Sequence, residues 1–220
     1  ELRYGGYNIY TTLDLVMQQE AERALAGIPK FTATVQPQAA LVTIDPANGE
    51  ILALAGGRDY GKSQLNRCVY SYRQPGSAIK PFVYATALEK GFTAASIFED
   101  KPLTIKLANG TEYKPENYDH LFRGKITLRQ ALRQSVNSVA VQLLQAVGVD
   151  TVFEQIERMG ITSLVKQGRN NDANLAPLAL GGLTKGVTPL ELTTSYSPFA
   201  NHGLLVKPVA VLKVVDSRGK

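Results

Sequence analysis

Two apolar runs joined by a five-residue turn constrain this chain more than any other feature. Ala39 to Ile44 (AALVTI) and Glu50 to Gly57 (EILALAGG) flank Asp45 to Gly49 (DPANG). Pro46 presets its own φ for a turn, and Asn48-Gly49 accepts the left-handed backbone that reverses a chain. The pattern predicts an antiparallel hairpin, and strands this apolar are expected to be buried on both faces.

Helical patterns lie on either side of the hairpin. Tyr7 to Thr11 reads as a short strand leading into a helix capped by Thr12 or Asp14, with Leu15, Ala21 and Leu25 on its apolar face and Gly27 at its end. Ser77 to Glu89 reads as a helix closed by Gly91, and Thr127 caps another that carries Leu128, Ala131, Leu132, Val139, Leu143 and Leu144. Thr151 to Met159 forms a further helix ended by Gly160, and another starts at Pro189. Residues 93–125 lack sustained periodicity and read mainly as loop around one short strand, Leu103 to Leu107; ordered loops of this length often carry function. The tail from Leu204 to Asp216 is strand-like and broken at Pro208 into two pieces. A hairpin, a run of helices and then strands define the expected class: α+β, an antiparallel sheet with helices packed on it.

Composition narrows the function. The 220 residues, 44% of them hydrophobic, suffice for one globular domain with a small appendage. The 24 Lys and Arg against 19 Asp and Glu are scattered without a basic stripe, which disfavours nucleic acid and leaves a mild attraction to an anionic envelope. Cys68 is the sole cysteine, so an internal disulfide, a thiolate metal cluster and a paired redox motif are excluded. No run of about 18 apolar residues and no signal-peptide pattern occurs. A chain that begins at Glu1 and stops at VVDSRGK reads as an excised piece, with any membrane anchor expected outside it. No His/Cys/Asp cluster has metal-ligand spacing, and the glycine pairs at 56 and 181 lack a phosphate-cradling context, so neither metal nor cofactor is expected.

The chemistry-bearing candidates are serines followed by lysines. Ten serines and thirteen lysines give about 0.6 Ser-x-x-Lys matches by chance. Three occur: Ser77/Lys80, Ser163/Lys166 and Ser217/Lys220. Context separates them. Pro75-Gly76 breaks the chain directly before Ser77, which puts that serine on a first helical turn beside free N–H groups and the positive dipole end. A spacing of three sets Ser77 and Lys80 on one helix face. The helix end would stabilise an oxyanion formed when Ser77 attacks a carbonyl. It would also lower the pKa of Lys80, so that a neutral amine takes the serine proton. Pro81 biases Lys80 away from helical angles, which is tolerable within the first turn. Ser163 and Ser217 lie in loop-like sequence and read as solvated.

Ser135-Val136-Asn137 is the one Ser-x-Asn in the chain. Residues two apart lie on opposite sides of a continuous helix, so a shared cleft requires a break near 135. Apolar periodicity alone accepts one long helix, and a polar pair that merely caps or interrupts a helix is the competing reading.

Three long segments, in order, resemble the transpeptidase domain of class A penicillin-binding proteins: YRQPGSAIKPFVYATALEKG, YKPENYDHLFRGKITLRQALRQSVNSVAVQLL and LALGGLTKGVTPLELTTSYSPFANHG. Ser-x-x-Lys, Ser-x-Asn and Lys-Thr-Gly are the motifs of that superfamily. The opening YGGYNIYTTLDLVMQQEAERAL is similar to the linker that follows a glycosyltransferase domain in such proteins. The resemblance thus implies residues 1–38 as linker and 39–220 as transpeptidase domain. It implies a bacterial peptidoglycan D,D-transpeptidase at the extracytoplasmic face of the membrane, acting on D-Ala-D-Ala stem peptides through an acyl-serine and acylated by β-lactams. Ser77 would be the nucleophile, with its backbone N–H as one oxyanion donor, and Lys80 its general base. Ser135 would relay protons to the leaving or attacking amine, and Asn137 would hold Lys80 and the substrate amide.

The sequence departs from that pattern in one respect. Neither Lys-Thr-Gly nor Lys-Ser-Gly occurs, and Thr184-Lys185-Gly186 reads as a turn before Pro189. The chain is therefore expected to be an incomplete domain, truncated before the final sheet strands, with weak or no acylation by itself. A D,D-carboxypeptidase, a serine β-lactamase-like hydrolase and a noncatalytic wall-binding module stay open as alternatives. His120 and His202 are expected at the surface, and Tyr113, Tyr118 and Phe122 either contact glycan or peptide or cover the edge of a core.

Overall fold

The computed structural model describes residues 6–216 apart from 33, 35, 107–109, 111 and 169, and also residues 218 and 219. The chain divides into two compact units, residues 1–72 with 188–220 and residues 73–187. The first unit begins with β1 (Asn8–Thr11), α1 (Leu15–Ala26), β2 (Leu41–Ile44), β3 (Ile51–Ala55) and α2 (Arg67–Tyr70). The second holds a 3-10 turn (Gly76–Ile79), α3 (Lys80–Glu89), β4 (Ile97–Asp100), β5 (Ile105–Lys106), β6 (Glu112–Tyr113), β7 (Gly124–Thr127), α4 (Leu128–Arg133), α5 (Asn137–Val147), α6 (Val149–Arg158) and α7 (Leu175–Leu180). The chain then returns to the first unit with α8 (Pro189–Ser195), α9 (Ser197–Ala200) and β8 (Val211–Val215).

In the first unit the predicted hairpin forms: β2 and β3 pair antiparallel, and the Gly49 N–H donates to Asp45 O at 2.8 Å. The Asp45 and Asn48 side chains brace the turn by accepting from the Ala47 and Glu50 N–H groups. Asp14 caps α1, accepting the Met17 N–H at 2.9 Å, while the Thr12 hydroxyl reaches Ile51 O (2.7 Å) and Val209 O (3.1 Å). Ala21 and Leu25, one turn apart, bury themselves with Ala53 and Ala55; Leu15 falls off that face and is exposed. The strands are not buried on both faces. Apart from Ala53 and Ala55 their residues are half-buried. The tail carries one strand, not two. Pro208 has no N–H to give a ladder, and β8 starts beyond it, paired antiparallel with β1.

The second unit is mainly helical, with a core that includes Phe82, Val83, Val139, Leu143, Phe153 and Ile156, none more than 1% exposed. Each such side chain contributes about 1.5–3 kcal/mol of burial. Thr127 caps α4 with a capping box: its hydroxyl accepts the Gln130 N–H at 3.2 Å, and Gln130 Oε1 accepts the Thr127 N–H at 3.0 Å.

Residues 93–125 contain more structure than their sequence predicts. β4 pairs antiparallel with β7, joining Ile97 to Thr127 and Asp100 to Gly124. Of the expected strand 103–107, Ile105 and Lys106 form β5; residue 107 lies outside the described residues. No helix among the described residues is long and apolar enough to cross a membrane.

Candidate active site

Ser77 lies on the 3-10 turn directly before α3, where Gly76 takes a φ of 56° that suits glycine. The turn is held from α7: the Gly76 N–H donates to Gly181 O at 3.3 Å, and a Cβ on Gly181 would meet Gly76 O at 2.1 Å. Upstream, Arg73 and Val187 exchange two backbone bonds of 2.9 and 2.8 Å. Ser77 itself is exposed, and neither its hydroxyl nor its N–H makes a hydrogen bond among the described residues. Both groups are thus available to a substrate carbonyl.

Lys80 opens α3 and is 1% exposed. Its Nζ donates to Ser135 O (2.6 Å) and Asn137 Oδ1 (2.6 Å) and lies 3.0 Å from Ser135 Oγ. Burial pushes its pKa down to about 8, where the sequence points to the helix end as the cause. Two of the three partners can only accept, so they hold two N–H bonds of either the ammonium or the neutral amine. The third partner is a hydroxyl, which can accept from an ammonium or donate to an amine. A proton can therefore pass between Nζ and Ser135 without rearranging the other two bonds. The Lys80 backbone N–H donates to Ser77 O, but among the described residues no hydrogen bond joins Lys80 Nζ to the Ser77 hydroxyl.

The break that brings Ser135 and Asn137 to one amine has a defined geometry. Ser135 N–H donates to Leu132 O (3.0 Å) and Val136 N–H to Ala131 O (2.9 Å), the paired bonds of a Schellman ending to α4. Ser135 occupies the left-handed position of that motif, at φ 53°, where glycine is usual. Val136 then extends and α5 begins at Asn137. The strain costs about 1–2 kcal/mol and sits at a candidate functional residue, as stored backbone strain often does. Ser135→Gly is expected to leave thermal stability unchanged or raised by up to about 1 kcal/mol. In the full-length parent it should lower acylation by penicillin by about 10- to 100-fold. Equal acylation by the glycine variant would remove the hydroxyl from the chemistry.

Asn137 is fixed at both ends: its Nδ2 donates to Glu116 O (2.7 Å), and its backbone N–H to Asn117 Oδ1 (2.8 Å). Asn117 lies in the stretch that sequence reading treats as loop, where a lone asparagine gives no signal. The other serine-lysine pairs stand apart. Ser163 is not solvated; it is 8% exposed and donates to Gly186 O at 2.8 Å, while Lys166 faces the Phe153 ring and Glu157. The Ser217/Lys220 pair lies outside the described residues. His120 and His202 are exposed, and His120 pairs with Glu116 at 2.8 Å. Tyr118 is wholly exposed and Phe122 lines a cavity beside Pro115. Among the described residues no group of His, Cys, Asp and Glu could hold a metal ion.

The profile of the family described as "Penicillin binding protein transpeptidase domain" matches residues 39–220. The chain belongs to the penicillin-binding protein transpeptidase family. It is 44% identical over 188 residues to penicillin-binding protein 1A of Aquifex aeolicus (strain VF5), and 38% identical over 196 residues to penicillin-binding protein 1A of Escherichia coli (strain K12). These matches cover 83% and 89% of this chain but 24% and 21% of the relatives, so the chain spans less than a quarter of their length. Among solved structures, penicillin-binding protein 1A from Haemophilus influenzae is similar with a TM-score of 0.76 at 38% identity, over 83% of this chain and 26% of that one. PonA1 from Mycobacterium tuberculosis, solved in complex with penicillin V, is similar with a TM-score of 0.82 at 25% identity, over 100% of this chain and 58% of that one. The fold is thus the α+β fold of these transpeptidase domains, as expected.

Proposed function

We propose that the parent protein is a peptidoglycan D,D-transpeptidase working through an acyl-Ser77 intermediate, with residues 1–38 as the linker and 39–220 as part of the catalytic domain. The observation that carries this reading is the buried Lys80 amine, depressed to about 8 and held by two obligate acceptors and one hydroxyl. Such an amine is a competent base near neutral pH.

Ser77 Oγ attacks the penultimate D-alanine carbonyl of a stem peptide, and its proton passes to Lys80. Catalytic hydrogen bonds often shorten only once substrate is bound, so the missing bond between the Ser77 hydroxyl and Lys80 Nζ is compatible with this step. The Ser77 N–H serves as one oxyanion donor. The C–N bond to the last D-alanine then breaks, and Ser135 hands the departing nitrogen a proton from Lys80. An amine of a neighbouring stem attacks the ester, loses its proton along the same route, and frees Ser77. A β-lactam opens on the same hydroxyl and stays as the ester.

The setting follows from the same reading: the extracytoplasmic face of a bacterial membrane, behind a glycosyltransferase domain, with an anchor outside these residues and no cofactor. Since neither Lys-Thr-Gly nor Lys-Ser-Gly occurs in the 220 residues, these residues alone should acylate weakly, and the full-length parent is the protein to test. Incubation of the parent with a fluorescent penicillin, followed by peptide mapping by mass spectrometry, is expected to place the adduct on Ser77. An adduct on any other residue overturns the assignment.

A further inference from the structure

We propose that Asp100 and Asn117 are positioning residues for this acyl transfer, holding the segment between α4 and α5 so that Ser135 and Asn137 face Lys80. The inference rests on the reading of that segment as transfer machinery. Helix α5 has no capping side chain of its own, because Val136 stands at the cap position. The acceptor its first N–H needs comes instead from Asn117, which bonds the Asn137 N–H at 2.8 Å.

Asn117 is 4% exposed, and its amide leaves little freedom. Nδ2 donates to both oxygens of Asp100 (2.9 and 3.1 Å) and to Leu121 O (2.8 Å), which forces Oδ1 toward Asn137. The Asp100 side chain is fully buried and also accepts Ser138 Oγ at 2.5 Å, the Arg123 N–H at 3.0 Å and the Arg123 guanidinium at 3.5 Å. Ser138 is the second residue of α5, so one carboxylate grips the start of that helix twice, directly and through Asn117.

A buried carboxylate is a costly way to fill a strand position, since an apolar side chain of similar volume is often as stable or better. What Asp100 supplies that an apolar residue would not is a rigid frame of acceptors around the break. Ser135 is strained there at φ 53°. If the frame loosens, the segment can relax toward a continuous helix, on which residues two apart point about 200° away from each other. Ser135 and Asn137 could not then both reach one amine.

The test uses the full-length parent and Asn117→Ala. Stopped-flow acylation by a fluorescent penicillin separates the dissociation constant of the first complex, the acylation rate constant within it, and the number of labels per molecule. The expected result is an acylation constant lowered by about 10- to 100-fold, with labelling still near one per folded molecule and the dissociation constant changed by less than about threefold. A lower label count with an unchanged acylation constant would show a merely structural role and overturn the inference. If Asn117→Ala does not fold, Asn117→Asp carries the same test. It keeps the size and the acceptor for Asn137 but sets a second carboxylate against Asp100, so the same fall is expected and an unchanged constant is fatal. Mapping the adduct in the unsubstituted parent keeps the two ideas apart. An adduct away from Ser77 removes the whole site, whereas an adduct on Ser77 with an unchanged acylation constant in the Asn117 variant removes this inference alone.

Discussion

Lys80→Met in the full-length parent should lower acylation of Ser77 by about 1,000-fold, within the range for loss of a general base, while the fold survives. The survival follows from opposing costs. Methionine leaves Ser135 O and Asn137 Oδ1 without their donor, at about 1–3 kcal/mol each, but it also removes a buried amine whose charged form is disfavoured. The folded-state pKa of about 8 lies below the ordinary 10.5. Below pH 8 both states hold the proton and the full burial cost is present. Between 8 and 10.5 the folded state has released a proton that the unfolded state keeps, so stability rises with pH, by up to about 3 kcal/mol. Thermal melts of parent and variant should therefore draw apart in the parent's favour as pH climbs through that window. The acylation rate of the parent should rise about tenfold per pH unit below 8 and level off above it. A parent profile flat from pH 6 to 9, or a methionine variant as fast as the parent, would remove Lys80 as the base.

Gly181→Ala should be the most damaging single methyl in the second unit. Gly181 sits at φ 72°, and a Cβ there would lie 2.1 Å from Gly76 O and 2.6 Å from Gly76 N. Both contacts are backbone, so no rotamer change relieves them. Left-handed strain of about 1–2 kcal/mol and overpacking of about 1–3 kcal/mol together suggest a loss of about 3 kcal/mol. The same displacement moves the residue before the nucleophile, and a shift near 1 Å is enough to cost about 100-fold in rate. Gly182→Ala is the control, since a Cβ there meets nothing within 4 Å; its stability should change by less than about 0.5 kcal/mol. Denaturant melts and acylation rates of the two variants in the full-length parent decide the point, and equal behaviour would refute the close approach.

Legibility in the sequence follows the range of the cause. The hairpin and the start of α3 were readable because Pro46, Asn48-Gly49 and Pro75-Gly76 act on their immediate neighbours. The break at 135 was not fixed by pattern, since Ser135 holds a left-handed angle that only its surroundings enforce. β4 escaped because its pattern is inverted, with Ile97 exposed and Asp100 buried, an arrangement that makes sense only beside Asn117 and Ser138. α7 escaped because six residues around Pro177 show no period. Ser163 was misplaced for the same reason as Asn117 was missed: its partner, Gly186 O, is 23 residues away. For Lys80 the residue type and spacing were local, but the cause of its lowered pKa is burial by the folded chain.

The pairing of β1 with β8 also sets an order of events during synthesis. Asn8 faces Val215, while residues 73–187 form one uninterrupted stretch. At roughly 5–20 residues per second, β1 leaves the ribosome about 10 to 40 s before its partner exists. Throughout that interval Ile9 and Tyr10 present an unpaired, apolar edge of the kind that recruits foreign strands. The stretch bearing Ser77 and Lys80 can close before β1 and β8 pair.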